Sequence, residues 1–209
     1  MSPIVNTSVD SLTFGSQRAF NIKGTSIVQQ QQLELIASRF PNTLFYSVNG
    51  TCVIKTTPSS LVQLLTFLKS HTLCDYSQLI DITAIDNSEC KLRFEVVYFL
   101  LSISQGNRLT VSVSVAEGIS IPSVTEIYSS AGWLERETWD RFGIFFSSNK
   151  DLRRRLTDYG FKGHPLRKDF PLTGFVEVRY DDFSKRIVYT NVSLAQEYRI
   201  FTLDNPWKN

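Results

Sequence analysis

LFYSVNGTCVIKT, residues 44–56, decides how the chain is built. Two runs rich in β-branched and aromatic residues flank Asn49-Gly50, a pair suited to a two-residue turn that needs positive φ at both positions. Such a turn sets the register. Val48 falls opposite Thr51, Tyr46 opposite Val53 and Leu44 opposite Lys55, while Phe45 opposes Ile54 and Ser47 opposes Cys52 on the other face. Upstream, residues 29–40 place Leu33, Ile36 and Ala37 at helical spacing, and Pro41 stops them. Downstream, Thr57-Pro58 supplies a cap and a first-turn proline, followed by the stripe Leu61, Leu64, Leu65 and Leu68, ending near His71. Three strands come next. Residues 79–85 are mostly apolar. Residues 92–100 alternate Leu92, Phe94, Val96 and Tyr98 against Arg93, Glu95, Val97 and Phe99. Residues 109–115 place Leu109, Val111, Val113 and Val115 inward and Thr110, Ser112 and Ser114 outward. The order predicts an α+β fold: a mixed or antiparallel sheet with helices packed on one face, plus an extended C-terminal tail.

Further out, Pro122 begins a predicted helix through Ser130. Residues 132–170 then read GWLERETWDRFGIFFSSNKDLRRRLTDYGFKGHPLRKDF. Residues 133–170 hold 9 Lys+Arg against 6 Asp+Glu, whereas the residues before and after balance to −1 and 0, so the basic excess of the chain lies here. Two amphipathic helices are expected. The first spans 133–142, is ended by Gly143, and carries the spacings Glu137/Arg141 and Arg136/Asp140. The second spans 149–160, with Asn149 as N-cap, Leu152, Leu156 and Tyr159 on one side and Arg153, Arg154 and Arg155 over the rest. Glu135 and Glu137 are expected to form salt bridges. Large aromatics beside arginines suit a protein–protein interface. After Pro171, residues 175–180 and 186–190 form a hairpin across 181–185. Beyond it Tyr198, Phe201 and Trp207 are spread along an arm without helical pattern, which suits docking on another protein. The chain thus divides into a loosely ordered leader (1–24), an α+β domain (25–131), a helical segment at a subunit interface (132–170) and a hairpin with an extended C-terminal arm (171–209).

The composition excludes several classes. A chain of 209 residues, 42% hydrophobic and 20% charged, buries a core without staples. Its longest apolar run, VVYFLL at 96–101, is far short of the roughly 18 residues that span a bilayer. Cys52, Cys74 and Cys90 are odd in number and lack C-x-x-C spacing, so reduced thiols are expected, with neither a disulfide framework nor a metal site. A net charge of +2 does not call for a polyanion. Arg153–Arg155 lack an accompanying RNA-binding signature, so nucleic acid is not expected as a partner. There is no P-loop, no G-x-G-x-x-G and no nucleophile elbow, and the two histidines and scattered carboxylates have no metal-ligand spacing. His164, in GHPLRKD, is the one catalytic candidate. With Asp158, Asp169 or Glu177 as partner it would make a free-standing hydrolase or transferase; otherwise it orders the turn between Gly163 and Pro165.

ERETWDRFGI (135–144), DLRRRLTDYGFKGHPLRKDFPL (151–172) and VEVRYDD (176–182) resemble the 30-kDa, or C-type, subunit family of respiratory complex I. The resemblance extends back through FLKSHT, LIDITAID and LRFEVVY and forward to EYRIF and NPW, covering roughly residues 61–209. Arg141 and Asn149-Lys150 depart from the family pattern, which usually has an apolar residue and His-Pro there. The resemblance implies a core subunit of the peripheral arm of proton-pumping NADH:ubiquinone oxidoreductase. Such a chain binds no cofactor itself: FMN, iron–sulfur clusters and ubiquinone belong to neighbouring subunits. It braces the quinone-reducing module and supports assembly. Its partners would be other complex I subunits, chiefly the large 49-kDa type hydrophilic subunit, across which the tail reaches, and the quinone-module iron–sulfur subunit. The place implied is the matrix side of the mitochondrial inner membrane or the cytoplasmic side of a bacterial plasma membrane, held there only through partners. Trp139, Asp140, Phe142, Arg153, Tyr159, His164, Arg167, Asp169 and Phe170 are then docking or bracing residues, joined by Tyr198, Phe201 and Trp207 of the arm.

Overall fold

A computed structural model of the chain describes residues 27–48, 50–199, 201 and 207, the side chains of 27–29 excepted. The expected leader at 1–24 and the turn residue Asn49 lie outside the described residues. The chain divides into two compact units, Met1–His164 and Pro165–Asn209.

In the first unit, α1 (Ile27–Arg39) precedes the hairpin of β1 (Leu44–Val48) and β2 (Thr51–Thr56). Its register is the one the turn dictates, from Leu44 opposite Lys55 to Val48 opposite Thr51, and Gly50 takes the positive φ of 79° that the turn requires. The leucine stripe forms α2 (Pro58–Ser70), and Leu61, Leu64, Leu65 and Leu68 are fully buried. Thr57 stands at the cap in extended conformation, yet its hydroxyl bonds the Ser59 and Ser60 hydroxyls rather than a backbone N–H. Three strands follow: β3 (Gln78–Asp86), β4 (Phe94–Ser102) and β5 (Asn107–Val115).

The sheet order is β1-β2-β5-β4-β3. Helix α2 carries the chain to the far edge, β3, β4 and β5 return as an antiparallel meander, and β5 closes beside β2 in parallel, with Cys52 opposite Leu109. The sheet is therefore mixed. One face, from Phe45 and Ile54 through Val111 and Val113 to Tyr98, Val96 and Ile82, joins Leu33 and Ile36 of α1, the α2 leucines and Phe142 in a single core. Cys52 and Cys74 lie in that core as free thiols, and burial pushes them up to about 12 and about 11; Cys90 is exposed.

One strand expectation needs correction. Leu92 is exposed rather than inward. The Arg93 guanidinium forks onto both carboxylate oxygens of Asp86 (2.8 and 2.9 Å), and the Asn87 N–H bonds the Arg93 carbonyl, so β4 starts at Phe94 and leaves Leu92 in the turn. Thr110 and Ser112 point away from the helices as expected but are not open to water, Ser112 being 1% exposed. They belong to a central strand, where Ser112 lies between Lys55 and Val97, and the Lys55–Glu95 ion pair (3.5 Å) links side chains on that face. A short residue between longer ones is shielded by them.

After β5 the expected helix from Pro122 to Ser130 does not form. Ile121–Pro122 is instead a two-residue strand, β6, paired in parallel with β7 (Phe146–Ser147), and turns follow it. The Val124 N–H and the Ser123 hydroxyl are engaged by a carboxylate from the next helix, α3 (Ala131–Phe142), which competes with local helix formation. Gly143 ends α3 in the left-handed conformation, φ 76°. In the second unit, β8 (Val176–Asp181) and β9 (Arg186–Asn191) form the antiparallel hairpin expected from the sequence. Lys185 takes positive φ in its turn, which Ser184 closes by donating its N–H to Asp181.

Candidate functional site

α3 is an amphipathic helix whose buried stripe is largely polar. Ala131, Glu135, Thr138 and Phe142 recur at the spacing of a core-facing row, and Arg136 and Asp140 are buried on another side of the helix, against residues 153–157. A buried charge is tolerated only when fully bonded, and both carboxylates meet that condition with donors from elsewhere in the chain. The Glu135 carboxylate accepts from the Val124 N–H (2.8 Å), the Ser123 hydroxyl (2.7 Å) and the Asn149 amide (2.7 Å). In place of the expected salt bridge, its donors are neutral. Burial raises its pKa, and those three hydrogen bonds offset only part of the rise. Asn149, one of the departures from the family pattern, therefore has a definite local task.

Asp140 organises the Arg-rich stretch. Its Oδ1 accepts from Arg154 Nη1 (2.8 Å) and the Thr157 hydroxyl (2.6 Å); its Oδ2 accepts the backbone N–H groups of Arg155 (3.2 Å), Leu156 (2.8 Å) and Thr157 (2.9 Å). Burial opposes ionisation of this carboxyl. The Thr157 hydroxyl and N–H, the Leu156 N–H and the Arg154 guanidinium outweigh that and hold it well below the usual carboxylate range. This arrangement corrects the helix expected at 149–160. Successive N–H groups converge on one carboxylate, and Arg136 takes the Arg153 and Arg154 carbonyls (3.2 and 3.3 Å), so the backbone groups a helix would use are committed outward. It also corrects the expected Arg136/Asp140 pairing: Arg136 approaches Asp151 at 3.6 Å and lies over the Trp133 ring. The Glu137/Arg141 pair forms as expected, at 3.0 Å, and Glu137 also holds Arg155 at 2.8 Å.

The expected site residues separate into two groups. Trp139, Asp140, Arg153 and His164 come together around α3. Trp139 is half-buried, with its ring against His164 and the Arg154 guanidinium 5.6 Å from its centre. Phe142 packs in the core. Arg153 is exposed and pairs with Asp151 at 2.9 Å. His164 Nδ1 meets the Asp140 carbonyl at 2.9 Å, a backbone oxygen rather than a carboxylate, so it anchors the turn. Tyr159 projects from the held loop, 98% exposed. In the second unit Arg167 and Phe170 are half-buried, Asp169 is exposed, and Phe170 stacks edge-on to Phe175. Tyr198, Phe201 and Trp207 are exposed. Glu135, Arg136, Arg154 and Thr157 are the members of the network that sequence reasoning does not single out as site residues, although Glu135 and Thr138 at apolar-stripe positions carry the signal. Among the described residues no group of three His, Cys, Asp or Glu is placed to hold a metal, and no helix is long and apolar enough to cross a membrane.

The arrangement presents a loop braced on one buried carboxylate. Its sequence matches a family model, "Respiratory-chain NADH dehydrogenase, 30 Kd subunit", over residues 54–176. The chain belongs to that family. It is 50% identical over 159 residues to NADH-ubiquinone oxidoreductase subunit 9 of Reclinomonas americana, covering 76% of this chain and 78% of that one. To the C-type subunit of the NADH-quinone oxidoreductase of Roseobacter denitrificans it is 55% identical over 152 residues, 73% and 76% of the two chains. To the C-type subunit of the same enzyme in Paramagnetospirillum magneticum it is 48% identical over 178 residues, 84% and 89%. Among solved structures, a chain of the membrane-bound sulfane sulfur reductase, an archaeal respiratory membrane complex, superposes with a TM-score of 0.61 at 22% identity, over 69% of this chain and 86% of that one, a likeness of fold. Membership in a subunit family of an oxidoreductase complex leaves the hydrolase or transferase reading of His164 without support.

Proposed function

We propose that this chain is a cofactor-free structural subunit of the peripheral arm of NADH–quinone oxidoreductase, bracing the quinone-reducing module. The observation that carries the reading is the saturation of Asp140. A buried carboxylate with five donors freezes an otherwise irregular, arginine-rich loop, and such pre-organisation lowers the entropy cost of docking. Trp139, Asp140, Phe142 and His164 brace from within. Arg153 and Tyr159, together with Arg167, Asp169, Phe170, Tyr198, Phe201 and Trp207, contact neighbours. Those neighbours are the 49-kDa type hydrophilic subunit and the quinone-module iron–sulfur subunit, and FMN, iron–sulfur clusters and ubiquinone reside in subunits other than this one. The chain lies on the matrix face of the mitochondrial inner membrane, or the cytoplasmic face in bacteria, through its partners.

The test separates assembly from turnover. Trp139→Ala or Arg167→Ala should lower the amount of assembled complex on native gels while turnover per assembled complex stays near wild type. Normal complex levels with lost turnover would refute the bracing role.

A further inference from the structure

We infer that Glu135 is a buried proton-binding site: its carboxyl takes up and releases one proton reversibly while the fold around it stays intact. The inference goes beyond the subunit reading and does not depend on it. Glu135 is fully buried. Its Oε1 accepts the Val124 N–H at 2.8 Å, and its Oε2 accepts the Ser123 hydroxyl and the Asn149 amide, each at 2.7 Å. All three donors are neutral. Asp140, the other buried carboxylate of α3, differs in having the Arg154 guanidinium at 2.8 Å. The charges on the surrounding elements are engaged elsewhere or exposed. On α3, Arg136 serves the Arg153 and Arg154 carbonyls, and Glu137 is paired with Arg141 and Arg155. Asp86, at the end of β3, is held by Arg93, and Lys69 of α2 reaches the Ile127 carbonyl. Asp151 is paired with Arg153, while Glu126 and Lys150 are exposed. From β4 the Tyr98 phenol interacts with Glu135. Burial first, and then the charge of this carboxylate, push Tyr98 well up, so the phenol stays neutral and supplies no balancing charge.

The same neighbours accommodate the protonated form without displacing a heavy atom. Ser123 Oγ lies 2.9 Å from the Thr125 hydroxyl, and a hydroxyl both donates and accepts. With the carboxyl ionised, the Ser123 O–H points at Oε2. With a proton on Oε2, the acid O–H donates to Ser123 Oγ, and the Ser123 O–H turns to Thr125 Oγ1. The Val124 and Asn149 donors serve either state. Thr125 is half-buried, so the hydroxyl pair runs from the carboxyl toward the surface. Burial among neutral donors favours the uncharged acid, so the native carboxyl keeps its proton where an exposed glutamate has lost it. The folded chain then binds more protons than the unfolded one. Stability therefore falls as pH rises from about 4.3 through the raised native value, and levels off above it. This window lies above the one for Asp140, whose contribution fades below about pH 3.9.

The experiment titrates the full chain with isotopically labelled glutamate carboxyls, followed by NMR. One carboxyl should titrate at higher pH than the rest, and its signal should be missing from Glu135→Gln, whose amide mimics the protonated acid. Asn149→Asp sets a second carboxylate where the amide now lies 2.7 Å from Oε2. It should move the midpoint up by about one pH unit or more, because two like charges so close share a proton. In urea unfolding over the same pH range, the folding constant of wild type divided by that of Glu135→Gln should fall by up to about tenfold per pH unit inside the window and stay constant above it. A Glu135 midpoint among those of the exposed glutamates overturns the inference, as does a ratio independent of pH or a midpoint that Asn149→Asp leaves in place. Should either variant fail to fold, the wild-type chain still decides: if no glutamate titrates above the ordinary range while the amide spectrum stays native, Glu135 binds no such proton.

Discussion

The two units handle burial in opposite ways. In the first, polar residues of α3 are buried, Glu135 and Thr138 in its core-facing row and Asp140 under the 154–157 loop, and donors from distant stretches satisfy the carboxylates. In the second, the hairpin leaves a row of valine, isoleucine and tyrosine more than half exposed. One unit has polar groups inside and answers them internally; the other has apolar groups outside. The difference teaches that order has different sources: the first unit rests on its own hydrogen bonds and core, the second on the strand pairing of its hairpin.

Substitutions can break or sharpen that contrast. The largest effect is expected at Asp140. Asp140→Asn removes the charge that several donors converge on, and breaking such a buried cluster costs about 3–5 kcal/mol, measured as a lower urea midpoint with unchanged slope. Its pH dependence follows from the lowered pKa. The native carboxylate stays ionised where the unfolded one, near 3.9, is already protonating, so its contribution is complete above about pH 3.9 and fades as pH falls through the lower native value. The stabilities of wild type and Asp140→Asn should therefore converge in acid; a constant gap down to the lowest accessible pH would show that the charge is not what counts. Gly143→Ala should cost about 1–2 kcal/mol, since φ at 76° crowds a Cβ against the following carbonyl. A thermal shift indistinguishable from wild type would mean the helix can end another way.

Two smaller effects refine the picture. Tyr98 is fully buried, and among the described residues its hydroxyl has no hydrogen-bond partner. Tyr98→Phe should leave stability unchanged or raise it by up to about 1 kcal/mol; a clear loss would reveal a partner. Tyr180→Ala in the isolated chain should change the global unfolding free energy by less than about 0.5 kcal/mol, as expected for an exposed position. A loss comparable to a core truncation would mean that the hairpin is already covered and the contrast is false.

Much of the fold is legible because local chemistry and tertiary demand agree. Asn49-Gly50 dictates a register that the strands follow, the α2 leucines are buried as their spacing requires, Gly143 stops α3, and the 176–191 hairpin stands where its alternation puts it. The failures have one physical cause. At Val124 and over 153–157 backbone groups bond to side chains of α3 rather than to each other, and a carboxylate many residues away is invisible to helical periodicity. Trp139 and Phe142, three apart, suggest by their size that theirs is the face that matters; the row that faces the core is Ala131, Glu135, Thr138 and Phe142. Polar residues in a core row resemble surface to any pattern based on hydropathy. Of the candidate site, the family motif is readable, but which of its residues are buried and which exposed is set by bonds between distant stretches, such as those to Asp140.

The parallel seam between β2 and β5 has a consequence for how the chain is made. Residues 51–56 leave the ribosome early, but their strand neighbour, 109–113, is translated only after a helix and two more strands. Until then the β1–β2 ribbon offers an open, largely uncharged border to any passing polypeptide. The newborn protein is therefore most exposed to wrong pairing in the interval between those two events, so slowing translation there should lower the yield of soluble product more than slowing it after residue 115.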